Sequence, residues 1–403
     1  MDLKSGYPYW AIKNGLMYSF PRLEADLSCD VAVVGAGITG ALIADELARH
    51  GHDVVVLEQR DVGWGSTSAS TALLQYEIDT HAVDLAKRYG QASALLAYRS
   101  CLSAVEDIGE VAGAIGDVDF ARCQSLYYAS NRADHQRLTD EFAWRELHGL
   151  PVRWLGRAAL KDEFGLTAPA AILSSVAARV DPYRLASRLL RRMQRQGTRV
   201  FDRTQVKSIT ATTRSVQLIT ASGALVRAGH AVIAGGYEAQ SWLSQRVAQN
   251  RSSYAYISDP IAACELGWLS STLLWESARP YLYVRSTGDG RLLVGGEDDD
   301  HDLPLRRARK VDRKAATLQR KLARLVPELS ARPAFAWAGT FAETRDGLPL
   351  FGRHPQYGLR VLFALAYGGN GITYSMLGAG LLRAQIERRP HALARLFSFS
   401  RIS

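Results

Sequence analysis

The alternation of apolar and polar positions predicts a strand, a helix and a second strand near the start of the chain. The apolar run "CDVAVV" at 29–34 leads directly into three glycines, Gly35, Gly37 and Gly40. Apolar residues then recur at helical spacing in "ITGALIADELARHG", which ends in a glycine. A further apolar run, "DVVVLE", ends at Glu58, 18 positions after Gly40. This pattern is typical of a βαβ unit with parallel strands.

Each part of this unit has a task in dinucleotide binding. Gly35 permits a tight turn, Gly37 lets the backbone approach a diphosphate, and Gly40 lets the helix lie close to the sheet. The N-terminus of the helix attracts negative charge. Glu58 accepts hydrogen bonds from ribose hydroxyls and disfavours a 2′-phosphate, so NADP is not expected. We therefore predict a dinucleotide site; a buried glycine turn without a ligand is the alternative.

A loop rich in small and hydroxyl residues follows the second strand, where a nicotinamide enzyme would usually continue into another βαβ repeat. It contains Gly63, Gly65, Ser66, Thr67 and Ser68. Their N–H and O–H groups suit the oxygens of a diphosphate. A plain surface loop is the alternative.

A strand, a glycine-rich loop and a helix also follow one another near the C-terminus. The apolar run "GLRVLFAL" precedes Gly368, Gly369, Asn370, Gly371 and Ile372. These five residues place backbone N–H groups at the start of an apolar helix, where they stabilise negative charge. An ordinary tight turn would favour glycine as well.

The composition describes an ordinary globular protein. Of its 403 residues, 47% are hydrophobic and 22% are charged, and the length suits two domains. No apolar run is long enough to span a bilayer. The N-terminus lacks the apolar core of a signal peptide, and the four scattered cysteines predict neither disulfides nor a zinc site. We expect a cytoplasmic protein.

Much of the net charge of +9 lies in one segment, 304–327. Apolar residues recur there at helical spacing, which predicts an amphipathic helix with its Arg and Lys residues on the opposite face. A solvated face is the simplest interpretation, and a phosphate-binding face is the alternative. The apolar positions are Val311, Ala315, Leu318, Leu322 and Leu325.

Together these motifs resemble those of the D-amino acid oxidase (DAO) family of FAD-dependent oxidoreductases, which includes glycine oxidase, sarcosine oxidase and D-amino acid dehydrogenases. The resemblance runs in separate blocks from about 29 to 385. Its most specific blocks are "WAGTFAETRDGLPLFG" and "YGGNGITYSMLGAG", which are similar to the family's flavin-covering segments. The resemblance implies an α/β chain with a Rossmann-like FAD-binding domain of the glutathione-reductase type and a second, antiparallel-sheet substrate domain.

The resemblance also implies how the chain is divided and how it holds FAD. The FAD-binding domain is expected at 1–79, 145–240 and 338–403, and the substrate domain at 80–144 and 241–337. FAD is expected to be noncovalent, because Gly339 stands where covalently flavinylated sarcosine oxidases carry a cysteine. The FAD-binding residues implied are Gly35, Gly37, Ile38, Thr39, Gly40, Glu58, Gln59, Ser66, Thr67, Ser68, Val206, Gly235, Gly236, Gly339, Asp346, Gly347, Gly368, Gly369, Asn370, Gly371 and Ile372.

For the substrate, the family implies an arginine that makes a two-pronged ion pair with a carboxylate. That position matches Arg285 in "YLYVRSTGDGRLLVGG"; an arginine on an exposed strand face is the alternative. Tyr254, Tyr256 and Tyr283 are expected to line the pocket, although such tyrosines are often half-buried sheet residues. Hydride transfer from an amino acid or amine to flavin N5 then gives an imine that hydrolyses, with O2 or an electron carrier as the final acceptor.

Two other functions stay open. One group of RNA-modifying proteins contains a domain of this family, and a basic helix suits RNA backbone contacts. The chain has no additional RNA-binding segment, so nucleic acid is not the expected partner. The second alternative is a flavin-binding subunit without an amine site of its own.

Overall fold

The computed structural model describes residues 3–365 and 367–402. Its α-helices are α1 (Tyr9–Asn14), α2 (Ile38–Arg49), α3 (Ser66–Ala69), α4 (Ala82–Tyr89), α5 (Gln91–Ile115), α6 (Asp134–Leu147), α7 (Arg157–Phe164), α8 (Pro182–Arg195), α9 (Ala263–Leu266), α10 (Pro304–Leu325) and α11 (Gly371–Ile386). Its strands are β1 (Lys4–Gly6), β2 (Leu27–Val34), β3 (Val54–Leu57), β4 (Leu73–Gln75), β5 (Ala121–Tyr128), β6 (Val152–Gly156), β7 (Ala170–Arg179), β8 (Arg199–Phe201), β9 (Val206–Ala211), β10 (Val216–Thr220), β11 (Leu225–Ile233), β12 (Gln249–Ser258), β13 (Thr272–Glu276), β14 (Leu282–Ser286), β15 (Leu292–Asp299), β16 (Pro333–Glu343), β17 (Leu350–Arg353) and β18 (Val361–Leu365).

The predicted βαβ unit is confirmed as β2, α2 and β3. It lies in an eight-stranded sheet of order β17-β18-β11-β2-β3-β8, with β10 beside β11 and β9 beside β10. Each adjacent pair in the run β18-β11-β2-β3-β8 is parallel, whereas β17 is antiparallel to β18 and β10 to β11. Val31 and Val33 of β2 belong to one hydrophobic core, and Ala32 belongs to another on the opposite face. Burial of both faces explains why these three consecutive positions are all apolar.

The second sheet has ten strands in the order β1-β16-β12-β15-β14-β13-β5-β7-β4, with β6 beside β7. Within the described residues, neighbouring strands of this sheet are antiparallel, apart from the parallel pair of β13 and β5. The predicted antiparallel sheet is therefore present. Its strands β12, β14 and β15 lie within 241–337, the second range expected for the substrate domain.

Sheet membership does not follow the predicted domain ranges throughout. The strands β1, β4, β6 and β7 belong to the ten-stranded sheet, although they fall within the ranges expected for the FAD-binding domain. The strand β16 crosses the expected boundary at 338. The chain thus passes between the two sheets more often than the sequence pattern shows, and the domain division stays a prediction.

The basic segment forms helix α10, which packs on the ten-stranded sheet. Val311, Ala315, Leu318 and Leu322 are buried as predicted, and Leu325 is partly buried. Three lysines of the helix form ion pairs with carboxylates of neighbouring strands: Lys310 with Asp299, Lys314 with Glu297 and Asp299, and Lys321 with Glu276 and Glu297. Part of the positive charge of α10 is therefore neutralised within the chain.

Residues 3–365 and 367–402 contain neither a membrane-spanning helix nor a cluster of metal ligands. No helix there is long and apolar enough to cross a bilayer. No group of His, Cys, Asp and Glu side chains there is arranged to hold a metal ion.

Candidate active site

The glycine turn after β2 has the geometry that its spacing predicts. Gly35 has a φ of +111°, and a Cβ on this residue would lie 2.5 Å from the carbonyl oxygen of Ala234. A Cβ on Gly40 would lie 1.8 Å from the carbonyl oxygen of Gly35. Gly40 therefore lets helix α2 pack against the turn that precedes it. Gly40 is not among the described residues that line the cavity, which corrects its predicted contact with FAD.

Glu58 is tied to this turn by both of its carboxylate oxygens. Oε2 accepts a hydrogen bond of 2.8 Å from the backbone N–H of Ala36, and Oε1 accepts one of 2.8 Å from that of Arg60. Burial raises the pKa of Glu58, and the two N–H groups oppose that shift because they favour the ionised form. Glu58 thus fixes the loop that would hold the dinucleotide, and it also lines the cavity.

The three hydroxyl residues predicted to bind FAD in the loop after β3 make different contacts. Thr67 Oγ1 accepts a hydrogen bond of 2.9 Å from the backbone N–H of Ile38, the first residue of α2. Ser66 Oγ is buried and has no hydrogen-bond partner among the described residues, and Ser66 lines the cavity. Ser68 is a correction to the prediction. Its hydroxyl donates to the backbone carbonyls of its own helical turn, and it does not line the cavity.

The glycine-rich loop before α11 is fastened to the loop that follows β4. The backbone N–H of Gly369 donates a hydrogen bond of 3.0 Å to Asp79 Oδ2, and Asn370 Nδ2 donates to the carbonyl of Glu77. A Cβ on Gly369 would lie 3.0 Å from Asp79 Oδ2, so glycine allows this close approach. The two loops, distant in sequence, form one side of the cavity.

A cavity of about 490 Å³ joins these elements. It lies within the range of small-molecule and cofactor sites. Most of the residues predicted to bind FAD line it, as do two of the predicted pocket tyrosines. They are Gly35, Gly37, Ile38, Thr39, Glu58, Gln59, Ser66, Thr67, Val206, Gly235, Gly236, Gly339, Gly368, Gly369, Asn370, Gly371 and Ile372, together with Tyr254 and Tyr283.

Asp346 and Gly347 are further corrections, since neither lines the cavity. Asp346 forms an ion pair of 2.7 Å with Arg401 and accepts a hydrogen bond of 2.6 Å from the Tyr89 hydroxyl. Arg401 favours the ionised form, so the pKa of Asp346 is lowered although burial opposes the shift. Gly347 has a φ of +72°, and its carbonyl accepts a hydrogen bond from Tyr374. This turn anchors the C-terminal segment and lies outside the described cavity lining.

Arg285 does not reach the cavity, which corrects its predicted role. Its side chain is fully buried, and the guanidinium donates 2.6 Å and 2.9 Å hydrogen bonds to the backbone carbonyls of Thr71 and Val180. It also lies 5.0 Å from the ring centroid of Trp10. Burial lowers its pKa to about 10. With its donors directed to the backbone, Arg285 supports the segment that contains Thr71, a residue of the cavity wall.

The three predicted tyrosines also differ in position. Tyr283 lines the cavity, and its hydroxyl lies 3.3 Å from Ser253 Oγ. Tyr254 lines it as well, but its hydroxyl donates a 2.8 Å hydrogen bond to Asp299, which also pairs with α10. Tyr256 is buried in the core beneath α10 and does not line the cavity, which corrects the prediction.

A β-bulge in β15 brings in a residue that the sequence did not indicate, Asp298. On the neighbouring strand β12, Tyr254 pairs with Gly296 and Ser252 pairs with Asp299. These two residues of β12 are two positions apart, whereas their partners in β15 are three positions apart, so β15 contains one extra residue. Gly296 has a φ of +127° and Glu297 one of +54°. The insertion reverses the alternation of the strand. Glu297 and Asp299 therefore pair with lysines of α10, and Asp298 between them lines the cavity.

Sequence reasoning also missed other lining residues at this end of the cavity, including Asp79, Trp275 and Tyr281. The Tyr281 hydroxyl donates a 3.3 Å hydrogen bond to Asp79 Oδ1. The one available signal was the alternation of Tyr281 with Tyr283 along the strand. Nothing in the local pattern marks Asp79 or Trp275.

The described residues fit FAD. The turn at Gly35 and Gly37 and the N-terminus of α2 suit a diphosphate, and the buried, unpartnered Ser66 Oγ suits a phosphate oxygen. Glu58 and Gln59 line the cavity beside this turn. These residues would hold the dinucleotide, and the loop from Gly368 to Ile372 would meet the flavin.

Comparison with known proteins agrees with this geometry. Residues 30–385 match the model of the DAO family, described as FAD dependent oxidoreductase. The chain is 29% identical to glycine oxidase of Geobacillus kaustophilus (92% of this chain, 96% of the relative) and 27% identical to γ-glutamylputrescine oxidoreductase of Escherichia coli (94% and 89%). The crystal structure of L-proline dehydrogenase from P. horikoshii shares the fold with a TM-score of 0.77 at 18% identity, over 93% of this chain and 97% of that one. The chain belongs to the DAO family of FAD-dependent oxidoreductases.

Proposed function

We propose that the protein oxidises the C–N bond of a primary or secondary amine, in an amino acid or a simple amine, with noncovalently bound FAD as the electron acceptor. The observation that carries this proposal is the cavity that joins the dinucleotide residues to a wall of aromatic rings and a carboxylate. The relatives named glycine oxidase and γ-glutamylputrescine oxidoreductase support this class of substrate. No cysteine is among the described lining residues, which favours noncovalent binding.

In this reaction the chain binds and orients the reactants. Bound FAD supplies the acceptor for a hydride that leaves the carbon beside the substrate nitrogen. The rings of Trp275, Tyr281 and Tyr283 form an aromatic wall that reduces the access of water to the substrate. The hydrogen bond between Asp79 and Gly369 holds the glycine-rich loop in place. The imine product hydrolyses in water to a carbonyl compound.

Anaerobic mixing of the FAD-loaded protein with amino acids, N-methyl amino acids and plain amines tests this function. We expect at least one of these classes to bleach the flavin absorbance. Acid precipitation should release FAD into the supernatant, and flavin that stays with the pellet would contradict noncovalent binding. If no member of the panel reduces the flavin, the chain is a flavin-binding subunit without an amine site.

The RNA-modifying alternative depends on α10 as a phosphate-binding surface. The ion pairs of Lys310, Lys314 and Lys321 leave less positive charge for such a surface. Salt-dependent retention of the protein on immobilised tRNA would favour that alternative. We expect no retention at moderate salt.

A further inference from the structure

The substrate end of the cavity is lined by carboxylates, and the cation nearest to it, Arg279, lies outside the described lining, 3.9 Å from the ring centroid of Tyr281. Among the described lining residues, the charged ones are Glu58, Arg60 and Glu238 at the dinucleotide end and Asp79 and Asp298 at the other. Arg60 is paired with Glu238. The remaining wall near Asp79 and Asp298 is largely aromatic. Aromatic rings together with carboxylates form a site that favours a cation.

The two carboxylates of this end differ in what their oxygens already contact. Both oxygens of Asp79 accept hydrogen bonds, one from the Tyr281 hydroxyl and one from the N–H of Gly369. Oδ1 of Asp298 is buried and has no hydrogen-bond partner among the described residues. A buried acceptor without a donor is costly, so this oxygen is the one that a ligand N–H would satisfy.

The bulge in β15 accounts for this position of Asp298. Without the extra residue, the regular alternation from Val294 would turn Asp298 toward α10, where Lys310 and Lys314 already pair with Asp299. The backbone at Gly296 also allows no side chain, because a Cβ there would lie 1.8 Å from the carbonyl oxygen of Tyr281. Bulges of this kind often redirect a side chain beside an active site.

From this geometry we infer that Asp298 receives the ammonium group of the substrate and takes up its proton before oxidation. The inference rests on the proposed function. The step is R–NH3⁺ with Asp298–COO⁻ giving R–NH2 with Asp298–COOH. No electrons move in it, and the neutral amine keeps the lone pair that forms the C=N bond when hydride leaves the adjacent carbon. The bound FAD of the proposed function is the oxidant of that later step.

The groups that face Asp298 suit this exchange of a proton. Burial is the main cause that raises the pKa of Asp298 to about 7; the Glu343 and Asp79 carboxylates contribute to this rise, whereas the Ser253 hydroxyl and Arg279 oppose it. Tyr281 and Tyr283 also face it, and their pKa values are raised by burial, so both stay protonated. Burial has the opposite effect on the substrate, because it lowers the pKa of an ammonium group. A desolvated pair of opposite charges is therefore driven toward its neutral form.

The test uses tert-butylammonium, which has no hydrogen on the carbon beside its nitrogen and so cannot be oxidised by hydride loss. Its binding to the FAD-loaded protein is followed by the flavin spectrum and by calorimetry between pH 5 and pH 9. In the wild type we expect the affinity to rise about tenfold per pH unit up to about pH 7 and then to level off. Neutral tert-butanol should bind without this pH dependence.

Asp298→Asn should weaken binding of tert-butylammonium by about 10- to 100-fold at pH 8 and abolish the dependence on pH. Asp300→Asn is the control, because Asp300 is exposed, two positions away and outside the described cavity lining. It should behave like the wild type. FAD content and melting temperature verify that both variants are folded.

Equal binding by Asp298→Asn and the wild type would overturn the inference. So would a wild-type affinity that does not change between pH 5 and pH 7, and this measurement needs no variant. Either result leaves the proposed function intact if the amine panel still reduces the flavin. Failure of the whole panel refutes the proposed function and with it the proton step, whereas the binding data would still show whether Asp298 receives a cation.

Discussion

The two ends of the cavity are built from different kinds of atoms. At the dinucleotide end, the turn after β2 is built from backbone groups that are close in sequence, and the Ala36 N–H bound to Glu58 is an example. At the substrate end, side chains from separate strands and loops line the cavity. Asp298 faces the cavity because of a shift in the register of β15. A site made of backbone is encoded in local spacing. A site made of side chains depends on how distant strands pair.

The largest effect is expected from Gly40→Ala at the dinucleotide end. The added Cβ would lie 1.8 Å from the Gly35 carbonyl oxygen. To relieve this contact the backbone of the turn or of helix α2 would have to move, which costs much free energy. We expect a loss of about 3 kcal/mol in unfolding free energy and little bound FAD. Denaturant unfolding and flavin content measure the two effects.

Gly113→Ala is the matched control, because a Cβ on this helical glycine of α5 would have no neighbour within 4 Å among the described residues. Alanine favours a helix over glycine by about 1 kcal/mol, so this variant should be as stable as the wild type or more so. A Gly40→Ala protein that retains normal stability and full FAD would show that the turn is looser than the structure indicates.

Arg285→Ala should lower stability by about 3 kcal/mol, because the carbonyls of Thr71 and Val180 would lose their buried donor and a void would remain. The exposed strand residue Arg227 provides the control, and its replacement by alanine should change stability by less than about 0.5 kcal/mol. Thermal and denaturant unfolding compare the variants. A folded Arg285→Ala protein of normal stability that has lost only substrate affinity would instead restore Arg285 as a carboxylate anchor.

The contrast between the two ends also explains what could be predicted from sequence. The glycine spacing and Glu58 identified the βαβ unit and its part of the cavity wall, since those contacts lie within one supersecondary unit. Arg285 shares the strand face of Tyr283, but strand alternation does not show how far the cavity extends along that face. The position of Asp298 depends on a bulge that no local sequence pattern predicts. Asp346 forms an ion pair with Arg401, which is distant in sequence.

Glu58→Gln should weaken FAD binding by about 2 kcal/mol, close to 30-fold. The glutamine amide would present its NH2 group to one of the two backbone N–H donors of Ala36 and Arg60, so one hydrogen bond is lost. Titration of the apoprotein with FAD measures the affinity. Glu163→Gln, at an exposed ion pair with Arg153, should leave it unchanged. Equal FAD affinity of Glu58→Gln and the wild type would remove Glu58 from the site.

The smallest effect separates two nearby hydroxyls of the same loop. Ser66 Oγ is buried in the cavity wall without a partner among the described residues, whereas Ser68 Oγ donates within its own turn. Ser66→Ala should therefore lower FAD affinity by about 1 kcal/mol, roughly fivefold, and leave the stability of the apoprotein unchanged or slightly higher, because an unsatisfied buried group is removed. Ser68→Ala should leave FAD affinity unchanged. FAD titration of both apoproteins, with melting temperatures measured in parallel, decides the matter, and a loss of affinity in Ser68→Ala alone would reverse the assignment of the two hydroxyls.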